Sequence, residues 1–272
     1  MPTGESESAA PAAPPERLAD RGPRYLETPA DPTAPDAPLP AEPWNAVTAS
    51  FFIVIVLAWA WRLRGRYRRF PFLVCCMPIL LAGGIGGTLY HAYRTRLAYF
   101  LLDVIPIQIL GLASSLYLAI RLGRTFGTKR VLLISGAILA AFAFVNWTLT
   151  LVPSDIPTLR ICLNYGSLAT IILIPVVITL VRSRFAHAGF VWAGLGSFAI
   201  ALFFRFVDPY SPLPMGTHWL WHTFGALCTA FVIEYFYRVE RGSAVPLPSA
   251  APIDHTGAAG IPRLPSLPED RP

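Results

Sequence analysis

The chain is short of charge, of lysine and of cysteine, and each shortage removes a class of protein. Charged residues make up 14% of the 272 positions while 54% are hydrophobic, which excludes the balance of a soluble domain and indicates a membrane protein. Lysine occurs once, at Lys129, and most of the arginine stands in short blocks between apolar runs. The formal net charge of +6 therefore reads as a signal of membrane orientation, and nucleic acid is not an expected partner. The four cysteines, Cys75, Cys76, Cys162 and Cys228, lie inside apolar stretches without a C-x-x-C spacing, so they read as small buried hydrophobes rather than a disulfide framework.

Sustained apolar sequence is missing at both ends. Residues 1–40 are rich in Pro, Ala, Glu and Asp and 239–272 repeat that composition, so no cleavable signal peptide is expected and both ends read as disordered tails. The body, 41–238, divides into seven apolar stretches near 45–62, 71–92, 98–120, 130–152, 160–181, 187–207 and 216–237, each close to the roughly 20 residues a bilayer-crossing helix needs. The expected fold is an all-α membrane protein, a bundle of seven transmembrane helices. Arginine follows the odd-numbered spans ("RLRGRYRR", "RLGRTFGTKR", "RSR", "YRVER") and is sparse after the even ones, which predicts the N-terminus outside and the C-terminus cytoplasmic. Pro78, Pro106 and Pro175 fall inside spans, where neighbouring helices re-satisfy freed backbone groups. The "GGIGG" at 83–87 has no strand before it and reads as a close-packing surface rather than a phosphate loop.

A charged side chain at the centre of a membrane helix costs about 2.5–3.5 kcal/mol on insertion scales, so the few within these spans need a reason. His91 closes the second span, Asp103 opens the third, Asn146 lies late in the fourth and Asn164 early in the fifth. Arg205 and Asp208 end the sixth, while His218 and His222 open the seventh. Because successive spans alternate in direction, all of these fall in the outer half of the membrane. His187 and His255 do not join them. His218 and His222, four apart, share one helix face, and His91 at the same depth supplies a third imidazole. Three neutral imidazoles with an open position suit catalytic zinc. The competing reading is an interfacial belt in which each histidine, beside Tyr90, Trp219 and Trp221, makes ordinary hydrogen bonds.

The stretches "AEPWNAVTASFF", "GIGGTLYHAYRTRLAYFLLDVIPIQ" and "GTHWLWH" resemble, in order and spacing, the three signature regions of the alkaline ceramidase family. That family belongs to a superfamily of seven-span metal hydrolases that includes the progestin and adipoQ receptors. The likeness spans about residues 24–238, and the bacterial members are the most similar, which implies a multi-pass protein of a bacterial inner membrane. It implies an amidase acting on ceramide-like membrane lipids, with zinc on His91, His218 and His222 and Asp103 holding the attacking water and serving as base. It also implies a calcium ion beside the first span, for which Glu27, Glu42 and Asn45 are the remaining oxygen ligands.

The sequence departs from that pattern in two places. The family's serine four residues before the first histidine is Gly87, with Thr88 next to it as the candidate hydroxyl to steady an oxyanion. Arg24 and Leu26 stand where the calcium motif has aspartate and cysteine, so Glu42 and Asn45 read equally well as caps of the first helix. Asp208, Asn146 and Asn164 are candidates to orient the imidazoles, and Arg205 and Asp208, three apart, are candidates to neutralise each other. No obligate protein partner is indicated. A non-catalytic metal-stabilised receptor or scaffold is the alternative function, whereas a transporter is disfavoured because the inner halves of the spans are nearly all apolar. Zinc ligation by neutral imidazoles predicts activity rising from about pH 6 and staying high under mildly alkaline conditions.

Overall fold

The computed structural model describes residues 18–123, 127–151 and 157–242, and all regular structure among them is helical. The first span is built from α1 (Pro43–Ala49) and α2 (Phe51–Leu63), which meet at Ser50. Pro43 occupies the first turn of α1, where its missing N–H costs no hydrogen bond. At the junction the Ser50 hydroxyl donates to the Val47 carbonyl at 2.6 Å. The remaining helices are α3 (Pro71–Tyr93), α4 (Leu97–Gly123), α5 (Thr128–Thr150), α6 (Pro157–Arg182), α7 (Ala188–Val207) and α8 (His218–Gly242).

Six of the seven expected spans, from Pro43–Leu63 to Ala188–Tyr210, are long and apolar enough to cross a membrane. The seventh, α8, has the length, at 25 residues, but not the uniform apolarity. Its position accounts for this: α8 packs against α7, α1, α2 and α3, so much of its surface meets protein rather than lipid. Its polar residues are paired with its own turns and with neighbouring helices. Glu234 pairs with Arg62 of α2 at 2.5 Å and with Arg238 one turn on at 2.7 Å, while Glu240 accepts the N–H groups of Phe72 and Leu73 at the start of α3.

The end of the bundle opposite the histidines is closed by Trp59, Leu63, Phe70, Leu73, Leu118, Leu180 and Phe236, all buried together. Outward-facing Trp61, Leu133, Trp192 and Phe203 remain exposed, as lipid-facing positions should. The glycine run packs helices closely, as its composition predicts. A Cβ on Gly84 would lie 3.0 Å from Ile53 of α2, and one on Gly86 would lie 2.5 Å from the backbone of Leu102 in α4.

The N-terminal lead departs from expectation. Residues 18–42 are not a disordered tail: they lie over the histidine end without regular structure, and they bury Asp20, Tyr25 and Thr28. The lead docks by backbone bonds, with Ala41 N–H on the Ala92 carbonyl at 2.8 Å and Glu42 N–H on the His91 carbonyl at 3.0 Å. At the other terminus α8 runs on to Gly242, beyond the expected start of the tail, and the expected disorder of 1–17 and 243–272 lies outside the described residues.

Candidate metal centre

His91 sits in the last turn of α3, and His218 and His222 in the first turns of α8, so two antiparallel helix ends place three imidazoles side by side. One nitrogen from each lies within 4.8 Å of the others, and all three side chains are buried. The Nε2 atoms of His91 and His222 face each other at 3.0 Å. His91 Nδ1 lies 2.5 Å from Glu42 Oε2, and a carboxylate in that position holds the proton on Nδ1 and leaves Nε2 as a lone pair. His218 Nδ1 is buried with no hydrogen-bond partner. Three buried ring nitrogens converging on one point are what a cation requires, and an all-nitrogen donor set suits zinc.

The start of α8 is shaped by Asp208, which follows α7 in a short 3-10 turn. Its Oδ1 accepts the N–H groups of Thr217 at 2.6 Å and His218 at 2.9 Å, capping α8, and its Oδ2 lies 3.4 Å from the Leu26 N–H. Gly216, at φ +67°, lets the chain pass Asp208, because a side chain there would collide with the carboxylate. Asp208 thus positions His218 through the backbone and not through its ring. It also does not neutralise Arg205, the partner expected from their spacing.

Asp103, six residues into α4, is half-buried and shares the wall of a cavity of about 320 Å³ with His222. Its carboxylate accepts no hydrogen bond from any described residue. Gly87 makes room for it, since a Cβ at that position would lie 2.6 Å from Asp103 Oδ1. A serine at position 87 could not be added without moving the aspartate, so the glycine is matched to this carboxylate. From Asp103 and His222 the cavity runs between apolar side chains such as Leu80, Leu110 and Ile172 to Trp59 and Phe236. At 1.5 Å per residue, the stretch of α8 from Trp221 to Phe236 that lines it measures about 22 Å.

Other expected site residues go elsewhere. The Thr88 hydroxyl donates to the Gly84 carbonyl of its own helix at 2.7 Å, and Thr88 does not line the cavity. Asn146 and Asn164 have the expected depth but meet each other at 3.1 Å, and Gln108 of α4 donates to Asn164 at 2.9 Å. That ladder joins α4, α5 and α6 and does not reach the imidazoles; interhelical polar bonds of this kind hold membrane helices together.

The oxygens expected to hold calcium are also committed. Glu27 accepts the N–H groups of Trp44 at 2.7 Å and Asn45 at 3.0 Å, so it caps α1 from a distance. Glu42 itself occupies the N-cap position without making a side-chain cap bond. Its Oε1 takes Thr28 and Arg94, and its Oε2 takes His91 and the Asn45 amide at 3.2 Å. Only Asn45 Oδ1 is left without a partner. With six to eight oxygens needed and a guanidinium already on the central carboxylate, the donor set does not fit a divalent hard cation.

Arg94 is a site residue that sequence spacing did not indicate. It ends α3 in the left-handed conformation, φ +52°, which turns its fully buried side chain back under the lead. Nε donates to Asp20 at 2.8 Å, Nη2 to the Pro23 carbonyl at 2.8 Å, and Nη1 to Thr28 and Glu42. Burial alone would raise the Glu42 carboxyl, but the hydrogen bond from His91 and the charge of Arg94 outweigh it and hold the group below the ordinary glutamate range. Tyr25 is the second unforeseen residue. Its ring stacks on His218, centroids 3.7 Å apart, and burial raises its phenol despite the nearby cations Arg205 and Arg94. No protein-family model, curated protein or solved structure matches the chain, so the character of this centre rests on its own geometry.

Proposed function

We propose that the chain is an integral-membrane, zinc-dependent amidohydrolase that cleaves a linear lipid amide, of the N-acyl-sphingoid or a related N-acyl type, to a fatty acid and an amine. The observation that carries this reading is the junction of three converging imidazoles with an unbonded carboxylate at one end of a long apolar cavity. The cavity takes the acyl chain and brings the amide carbonyl to the level of His222 and Asp103. Zinc held by His91, His218 and His222 would supply Lewis acidity and lower the pKa of water to about 7. Asp103 accepts the proton of the attacking water and returns it to the leaving amine. Glu42 keeps His91 in the Nδ1–H tautomer, and Tyr25 fixes the plane of the His218 ring.

Metal content tests the centre. Purified protein is expected to hold stoichiometric zinc at pH 7–8 and to lose it on acidification, because protons compete with the metal for the imidazole nitrogens. Changing His218→Ala together with His222→Ala should remove the metal. Wild type without zinc, or a double variant that keeps it, would end the zinc reading. A metal-bound protein that cleaves no lipid amide would instead favour the receptor or scaffold.

In the inner membrane of a bacterium, the arginine-poor ends that carry the centre face outward. Single cysteines placed at Ala10 and Ala250 should then react with impermeant reagents from opposite faces, the first from outside. Reaction of both from one face would reject an odd number of crossings.

A further inference from the structure

Arg205, on the last turn of α7, is 8% exposed, and a buried guanidinium normally has a carboxylate beside it. None of the described carboxylates lies within ion-pair distance of this one. Asp208, three residues on, is spent on the start of α8. The one hydrogen bond Arg205 makes among the described residues is a long one, 3.4 Å, to the Tyr25 hydroxyl. Three aromatic rings flank it, Trp221 at 5.0 Å, Tyr165 at 5.6 Å and Tyr25 at 5.8 Å from its central carbon. Cation–π contacts steady such a charge but leave its N–H donors unmet.

Its surroundings locate it. Trp221 and Tyr165 are also walls of the cavity, next to Asp103 and His222, and Tyr25 is the ring stacked on His218. Arg205 does not itself line the cavity; it packs behind Tyr165 and Trp221 at the polar end, one ring away from a histidine of the centre. The apolar space leads away from that end toward Trp59 and Phe236. An acyl chain lying in it leaves Arg205 on the other side of the scissile bond, where the amine half of the substrate must be.

We propose that Arg205 recognises an anionic group on the amine half of the substrate, so that the lipids cleaved here are N-acyl amino acids or similarly acidic N-acyl amphiphiles. This rests on the hydrolase reading above. A carboxylate supplies the paired acceptors that a guanidinium fork lacks here, and the water-poor surroundings strengthen the bond. A neutral head group would leave the charge buried and unmet.

The test compares N-palmitoylglycine with N-palmitoylethanolamine, which share the chain and the amide but differ in charge, on purified zinc-loaded protein. Wild type is expected to favour the acidic lipid in kcat/KM by about tenfold to a hundredfold, the range of one charge-assisted hydrogen-bonded pair. Arg205→Gln should erase that preference, lowering kcat/KM for the acidic lipid more than for the neutral one, and Arg205→Lys should retain part of it. Equal cleavage of the two lipids by wild type, or a preference that survives in Arg205→Gln, overturns the proposal.

Binding of the same pair and of palmitate to Asp103→Asn protein separates the sources of the anion and the two readings. Arg205-dependent binding of palmitate without that of N-palmitoylglycine would assign the site to the product and overturn the proposal. If neither lipid is cleaved by wild type yet N-palmitoylglycine binds in an Arg205-dependent manner, hydrolysis fails and the anion site stands. Thermal melting provides a check independent of any lipid. Removing an unpaired buried charge should leave ligand-free Arg205→Met at least as stable as wild type. A lowered melting temperature would mean that the fold already satisfies the charge, and would overturn the proposal.

Discussion

Asp103→Asn is expected to lower amide cleavage by about 10²–10⁴-fold while leaving zinc bound, the range lost when a positioned general base is removed. Asparagine keeps the size and fits the space beside Gly87, so the change is confined to proton acceptance. The aspartate shares a cavity wall with His222, and no described residue donates to it, so its oxygens are available to water. The measurement is release of free fatty acid in a single turnover, with zinc content determined on the same sample. A rate within a few-fold of wild type would place the proton acceptor elsewhere. Loss of zinc together with activity would make Asp103 part of the metal site rather than the base.

Replacing Arg94 with leucine should be the most destabilising single change near the centre, on the order of 3–5 kcal/mol, because it strands two buried carboxylates. Asp20 and Glu42 both turn inward to this guanidinium, and neither is exposed. Glu42 also sets the tautomer of His91, so zinc affinity should fall with stability, by about 10–100-fold. Adding calcium is expected to change neither value in the wild type, whose carboxylate already has its cation. Denaturant unfolding and zinc competition with a chelator check both. If millimolar calcium stabilised the wild type, or the leucine variant kept its zinc affinity, Arg94 would not hold this role.

The centre was legible in sequence because depth in a membrane bundle follows from position along each span. His91, Asp103, His218 and His222 needed only alternating span direction and the four-residue spacing to come together. Lateral neighbours do not follow from depth. Asn146 and Asn164 lie at the right level and still face each other and Gln108, since nothing in one sequence fixes the order of helices around the bundle. The Arg205–Asp208 pairing failed for a different reason: helical spacing holds only within a helix, and Asp208 lies in the turn beyond α7. Tyr25 and Arg94 meet the site through an irregular lead whose Pro- and Ala-rich composition resembles disorder. Burial there comes from a few specific contacts, which leave no periodic trace.

The polarity of α8 bears on how the molecule is assembled. The six earlier spans are each long and apolar enough to cross a membrane, whereas α8 carries two histidines and the pairing residues Glu234, Arg238 and Glu240. Among the described helices it is also the last in chain order, so α1, α2, α3 and α7 are made before it and can receive it. A ribosome that stalled after Tyr210 would leave a well-inserted bundle with His91 and Asp103 in place and no partners for them. Completion of the three-histidine group thus waits on the docking of α8, and on the zinc reading proposed above, protein without metal would hold that helix least firmly.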